Sequence, residues 1–62
     1  MCMITIYRGT TEEKNKLAEE VSSYEMLFNE ARIRAWSLMG EEKEFAIEHI
    51  VKWNSTDDTL VI

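Results

Sequence analysis

Cys2 and His49 are the residues of this chain whose side chains are best suited to covalent chemistry. A cysteine thiolate is a nucleophile, and a histidine near neutral pH can serve as its base. The chain holds one residue of each type, and they fall in different predicted elements. We therefore expect Cys2 to be a small apolar residue of a strand and His49 a surface residue. A small enzyme that uses Cys2 or His49 is kept as an alternative hypothesis, and the preferred prediction is that the chain is not an enzyme.

The sequence contains few residues that could bind a metal or a cofactor. One cysteine and one histidine are too few for the usual zinc site. Gly9 stands alone at a predicted strand end and lacks the spacing of a phosphate-binding loop. We predict no metal and no cofactor.

Binding chemistry is better represented, because arginine and tryptophan together are typical of the energetic centres of protein interfaces. The segment Arg32 to Trp36 has this composition. The predicted protein-interface residues are Met26, Arg32, Ile33, Arg34, Trp36 and Trp53.

The charge balance favours a protein partner over a nucleic acid. The chain has 12 acidic and 7 basic residues, for a formal net charge of -5, which favours a basic target. The acidic residues Glu41, Glu42, Glu44 and Glu48 are interpreted either as a solvated helix end or as a docking face for such a target. The alternative is a dimeric nucleic-acid-linked regulator, which would use Lys14, Lys16, Arg32 and Arg34 and would lose affinity in salt.

With 62 residues, the chain is predicted to be one domain, residues 1–62. A domain of this size buries only roughly 60% of the surface that its unfolded chain exposes. Since one cysteine cannot form an internal disulfide, oligomerisation is the expected remedy, with a homodimer favoured. The sequence has neither a signal peptide nor a membrane-spanning apolar run, so we expect a cytoplasmic protein.

The elements that would position these residues begin with a strand over residues 2–8, where Ile4 and Ile6 share the core face. Thr10 has the pattern of a helix cap, and Gly40 that of a helix terminator. Between them apolar residues recur at spacings of four and three, which predicts a long amphipathic helix over residues 11–39. The helical seam is Leu17, Val21, Tyr24, Phe28, Ala31, Ala35 and Leu38. Met26, Ile33 and Trp36 lie off this seam, and we expect them to form the contact between protomers.

Two alternatives remain open for the second half of the chain. The helix can instead end near Phe28 or Asn29, which makes residues 31–39 a strand with its arginines on one face and Ile33 and Ala35 on the other, followed by a turn. Residues 42–53 fit a second helix slightly better than a strand. Residues 58–62 are predicted to form a short strand that pairs with the first.

The opening of the chain resembles the small tautomerases related to 4-oxalocrotonate tautomerase. The likeness consists of a strand of about seven residues, a Gly-Thr-Thr-Glu-Glu-Lys turn starting at Gly9, and a helix from Lys14 to Phe28. That family uses an N-terminal proline as its base, whereas this chain has Cys2 at that place and no proline. The activity is therefore not carried over.

These observations predict an α+β mini-domain that self-associates through its central helix. The preferred function is that of a small acidic regulator or inhibitor that binds another protein. Short chains of this type are frequent among phage and mobile-element genes.

Overall fold

The computed structural model describes residues 3–62, which form one mixed sheet of six strands. The strand order across the sheet is β4-β3-β2-β1-β6-β5. β1 and β6 are parallel, and the other neighbouring pairs are antiparallel. The strands are β1 (Ile4–Tyr7), β2 (Lys16–Leu27), β3 (Arg32–Ser37), β4 (Glu42–Ala46), β5 (Lys52–Asn54) and β6 (Thr59–Val61). Two single-turn 3-10 helices, Glu13–Asn15 and Phe28–Glu30, precede and follow β2.

The predicted α+β class is wrong, because residues 11–39 form two strands and two short turns instead of a long amphipathic helix. The reason is that side-chain alternation along β2 is interrupted, because its pairing shifts register between Ile4 and Ile6 and between Ile6 and Tyr7 on the β1 side, and between Val21 and Ser23 on the β3 side. Ala18 and Val21 are three residues apart, yet they pair with Ile6 and Ile4, which are two apart. The extra residue puts both side chains on the core face and imitates the spacing of a helix. The helix that the tautomerase resemblance implied is absent for the same reason, since β2 occupies most of its length.

The second predicted helix, over residues 42–53, is also wrong. β4 and β5 occupy its two ends, with an irregular segment between them. Phe45, Ile47 and Val51 pack against the core from this segment. The strand interpretation that the sequence left open is confirmed only at the two ends of this segment, because β4 and β5 are separate strands at opposite edges of the sheet.

The strand interpretation of residues 31–39 is confirmed by β3. Its burial alternates along the strand: Ile33 and Ala35 are buried, while Arg32 and Arg34 are partly exposed on the other face. The turn from Phe28 to Ala31 lets the chain reverse, and Ala31 adopts a left-handed conformation with φ of 52° and ψ of 47°. This turn restarts the side-chain alternation, so β2 and β3 do not share one continuous pattern.

The strands predicted at the two chain ends are confirmed in type and in pairing. β1 occupies Ile4–Tyr7, with Ile4 and Ile6 buried, and β6 lies beside it. Cys2, which was expected on the same core face, lies outside the described residues.

β2 holds the molecule together because both halves of the sheet use it. Its first part pairs with β1, its last part pairs with β3, and the two sets of pairs meet at Val21. The sheet folds around a single cluster within an envelope of 25 × 23 × 20 Å. The members of this cluster are Ile4, Ile6, Ala18, Val21, Ile33, Ala35, Leu60 and Ile62. Within residues 3–62, no helix is long and apolar enough to cross a membrane.

Candidate functional site

The six predicted interface residues do not form one surface. Ile33 is fully buried, with an exposed fraction of 0%, and Met26 packs half-buried against the same core. Trp53 lies on β5 at one edge of the sheet and is 49% exposed. The remaining three, Arg32, Arg34 and Trp36, are on β3 near the other edge, on the face opposite Ile33.

The two arginines belong to a cross-strand charge network that we call the outer ladder, formed by Glu25, Arg32, Arg34, Glu42 and Glu44. The sheet register sets Arg34 between Glu25 on β2 and Glu44 on β4. The Arg34 guanidinium lies 3.1 Å from the Glu44 carboxylate, 3.4 Å from that of Glu42 and 3.9 Å from that of Glu25. Arg32 donates a hydrogen bond to the same Glu44 carboxylate.

These contacts change the proton affinities within the outer ladder. Hydrogen bonds from Arg32 and then Arg34 lower the pKa of Glu44 below its ordinary value. The hydrogen bond to Glu44 raises the pKa of Arg34. The ladder is thus a set of charges that largely satisfy one another across three strands.

The cations assigned to a nucleic-acid surface are mostly engaged with carboxylates. Arg32 and Arg34 lie in the outer ladder. The Lys16 ammonium lies 3.0 Å from the Glu13 carboxylate and 3.4 Å from that of Glu19. Phosphate binding would have to displace these contacts, so the geometry gives the nucleic-acid alternative no support.

His49 lies beside the β1–β2 connection. A Cβ added at Gly9 would come within 3.6 Å of the His49 Nε2 atom, and the His49 backbone N–H donates to the Ile62 carbonyl at 3.0 Å. Its predicted enzymatic partner Cys2 lies outside the described residues. Among residues 3–62, no group of three or more His, Cys, Asp or Glu side chains is arranged to hold a metal ion.

The strongest candidate site is a groove of about 350 Å³ beside the β3–β4 hairpin, which we call the tip groove. Its floor is formed by the buried residues Ala18, Val21 and Ala35. Two apolar side chains of the hairpin border it while remaining exposed: Leu38 at 64% and Met39 at 94%. The complete lining is Ala18, Glu19, Glu20, Val21, Ala35, Ser37, Leu38, Met39, Glu41 and Lys43.

Backbone hydrogen bonds of a tight hairpin fix the position of these two apolar residues. The Ser37 N–H donates to the Glu41 carbonyl, and the Gly40 N–H donates to the Ser37 carbonyl, both at 2.9 Å. Gly40 has φ of +86°, a left-handed conformation that glycine adopts without steric cost. Leu38 and Met39 therefore sit within a closed turn, where their side chains are exposed and lie outside the core cluster.

Carboxylates form most of the charged rim of the tip groove. Glu19, Glu20 and Glu41 stand against a single ammonium, that of Lys43. Within residues 3–62, Glu19 shares Lys16, whereas neither Glu20 nor Glu41 has a cation within 4.0 Å of its carboxylate. Glu20 is one of the two residues between Ala18 and Val21 at the β2 bulge, and it has φ of 55°. The tip groove is therefore both apolar and negatively charged.

Sequence reasoning missed this site because it assigned most of its residues, those up to Met39, to one helix. Leu38 was placed on the buried seam and Met39 at the helix end. The strand alternative included the turn signal Met39-Gly40-Glu41-Glu42, which places one of the two apolar residues, Met39, at a hairpin tip. The bulge at Glu20 has no comparably clear sequence signal.

No protein-family model, curated protein or solved structure matches this chain. The geometry of the tip groove therefore carries the functional inference.

Proposed function

We propose that this chain is a small non-enzymatic protein that binds another protein through the tip groove and acts as a regulator or inhibitor of it. One observation carries this proposal. Leu38 and Met39 are exposed beside a groove whose floor is apolar. Apolar residues that are exposed singly are normal, but a contiguous apolar patch with a polar rim is typical of an interaction site.

The shape of the tip groove favours a protein over a small molecule. Small-ligand pockets enclose most of the ligand surface. Met39, at 94% exposure, projects from the molecule and encloses little. A projecting methionine instead suits a partner surface, because its unbranched side chain adapts to the shape of what it meets.

The charge of the tip groove favours a different protein over a second copy of this chain. A two-fold contact brings the same patch of both protomers together. The contact would then bring together Glu20 and Glu41 of both protomers, with Lys43 as the one ammonium of each lining, and an excess of like charge in an interface opposes association. The predicted homodimer remains a separate prediction, and it no longer has a helix to form it.

A cytoplasmic location is part of the proposal. A single cysteine is compatible with a reducing compartment, where folded chains do not depend on disulfides. Fractionation of host cells that express a tagged chain would test this assignment.

A selection from a random peptide display library, with the intact chain as bait, tests the proposed function. Each selected peptide is then measured against Met39→Ser and against Ile50→Ser. Ile50 is a matched control because it is also highly exposed, at 82%, and does not line the tip groove. We expect most selected peptides to lose binding to Met39→Ser and to keep binding to Ile50→Ser. Peptides that bind both variants as well as the original chain would contradict the proposal.

A further inference from the structure

Building on the proposed function, we infer that the partner presents to the tip groove a segment with a large apolar side chain flanked by lysine or arginine. The apolar side chain enters between the hairpin and β2. The flanking cations meet the rim carboxylates of Glu20 and Glu41.

The size of the tip groove sets the apolar part of this recognition. At about 350 Å³, it lies at the lower end of the roughly 300–1,000 Å³ range of binding pockets. It therefore suits one or two large side chains better than the whole face of a helix. Val21 and Ala35 on the floor and Leu38 and Met39 at the border supply apolar contacts on both sides.

The carboxylates on the rim of the tip groove determine which charge the partner segment should carry. Three carboxylates against one ammonium give the lining an excess of negative charge, and the whole chain carries a net charge of -5. Glu19 already contacts the Lys16 ammonium at 3.4 Å. Glu20 and Glu41 are the two rim carboxylates that, within residues 3–62, have no such contact. Lysine or arginine side chains of the partner would form ion pairs with these two carboxylates. The negative charge of the whole chain would also attract such a cationic segment toward the tip groove.

The same charges argue against the other macromolecular occupants. A nucleic acid or an acidic protein segment would bring negative charge to Glu20 and Glu41. An uncharged apolar segment would fill the groove but leave both carboxylates beside an apolar surface without a partner, which is unfavourable once water is displaced.

The test uses peptides from the display selection whose binding requires Met39. We expect their sequences to be enriched in lysine or arginine next to a large apolar residue. Dissociation constants are then measured by fluorescence polarisation for the original chain, for the double variant Glu20→Gln/Glu41→Gln, and for Glu30→Gln. Glu30 is a matched control because it is exposed and does not line the tip groove.

We expect the double variant to bind about fivefold more weakly, the size of two exposed ion pairs. Glu30→Gln should be unchanged, and the difference should shrink in high salt. Peptides that need Met39 but lack basic residues, or that bind the double variant equally well, would overturn this inference while leaving the proposed function intact. Peptides indifferent to Met39→Ser would instead overturn the proposed function itself.

Discussion

The outer ladder and the tip groove are both formed by β2 and the β3–β4 hairpin, yet they use glutamate in opposite ways. In the outer ladder, Glu44 is held by two arginines from the neighbouring strand. At the tip groove, Glu20 and Glu41 stand on the rim of an apolar groove, and within residues 3–62 neither has a cation within 4.0 Å. A surface whose charges are already paired has little to offer a partner. This contrast is why we propose that a partner binds at the tip groove and not at the outer ladder.

The comparison also bears on stability, because exposed ion pairs contribute little to it. Fixing the sheet therefore falls to the buried side chains on the opposite face of β3. The outer ladder favours the observed register of β2, β3 and β4, because this pairing places opposite charges side by side on neighbouring strands.

Ile33→Ala is expected to have the largest effect on folding. Ile33 is fully buried between two partly exposed arginines, and truncating a buried isoleucine costs about 3 kcal/mol. Urea denaturation would measure the loss in the free energy of unfolding. Arg34→Ala, on the opposite face of the same strand, should shift the midpoint far less. Equal losses for the two variants would mean that the outer ladder stabilises the fold as much as the core does, which would contradict the contrast drawn here.

Met39→Ser is expected to have the largest effect on binding. Loss of an anchor at the tip groove should weaken the selected peptides by about tenfold, or about 1.4 kcal/mol. Because Met39 is almost fully exposed, the free energy of unfolding should change by less than about 0.5 kcal/mol. Isothermal titration and thermal unfolding of the same sample would separate the two quantities. A large loss of stability would mean that Met39 serves the fold and not a partner.

Glu20→Gly separates conformational strain from binding. A residue with a Cβ in the left-handed region lowers the stability of the fold by roughly 1–2 kcal/mol. Glycine avoids this steric cost, but it loses more backbone conformational entropy when the chain folds. We expect a net gain of about 0.5 kcal/mol in stability and weaker binding of basic peptides. Ala31→Gly is the matched control, since Ala31 has φ of 52° and lies away from the tip groove. It should stabilise without changing the peptide affinity. If Glu20→Gly left the affinity unchanged, the carboxylate would have no part in binding.

The smallest expected effect concerns pH. The pKa of Glu44 is lowered from its ordinary value of 4.5 by hydrogen bonds from the two arginines. A depressed pKa means that Glu44 stabilises the fold above its unfolded pKa and loses this contribution as the pH falls through the lower, folded value. Glu44→Gln should therefore be less stable than the original chain at pH 7, and the difference should shrink below about pH 4.5. Urea midpoints of the original chain and of Glu44→Gln across this range would show it, and a difference that stays constant with pH would contradict it.

How much of the fold could be predicted depended on whether side-chain alternation was continuous. β3 alternates strictly, and the sequence supported it as an alternative with its two faces correctly assigned. β1 and β6 are short and unbroken, and their pairing was predicted. The prediction failed for β2 because its pairing with the neighbouring strands shifts register three times, so its apolar residues do not recur at a spacing of two. Over a window that also included the turn at Ala31, strand residues imitated a helix.

The candidate site was missed in the sequence because of the same wrong assignment of a helix. Once Leu38 was assigned to a helical seam, its exposure could not be anticipated. The arginines and Trp36 were noticed for their composition, but cross-strand neighbours decide whether an arginine is free, and those neighbours depend on the sheet register. Glu44 lies ten residues after Arg34 in the chain and directly opposite it in the sheet, a relation that local spacing does not reveal.

Nuclear magnetic resonance mapping of one selected peptide tests the contrast between the two surfaces most directly. Backbone amide shifts are followed while the peptide is added to the intact chain. We predict the largest changes at residues 18–21, 35, 37–39, 41 and 43, which line the tip groove, with Glu25, Arg32 and Glu44 of the outer ladder little affected. Changes centred on the outer ladder, with the hairpin tip unperturbed, would contradict the assignment of binding to the tip groove.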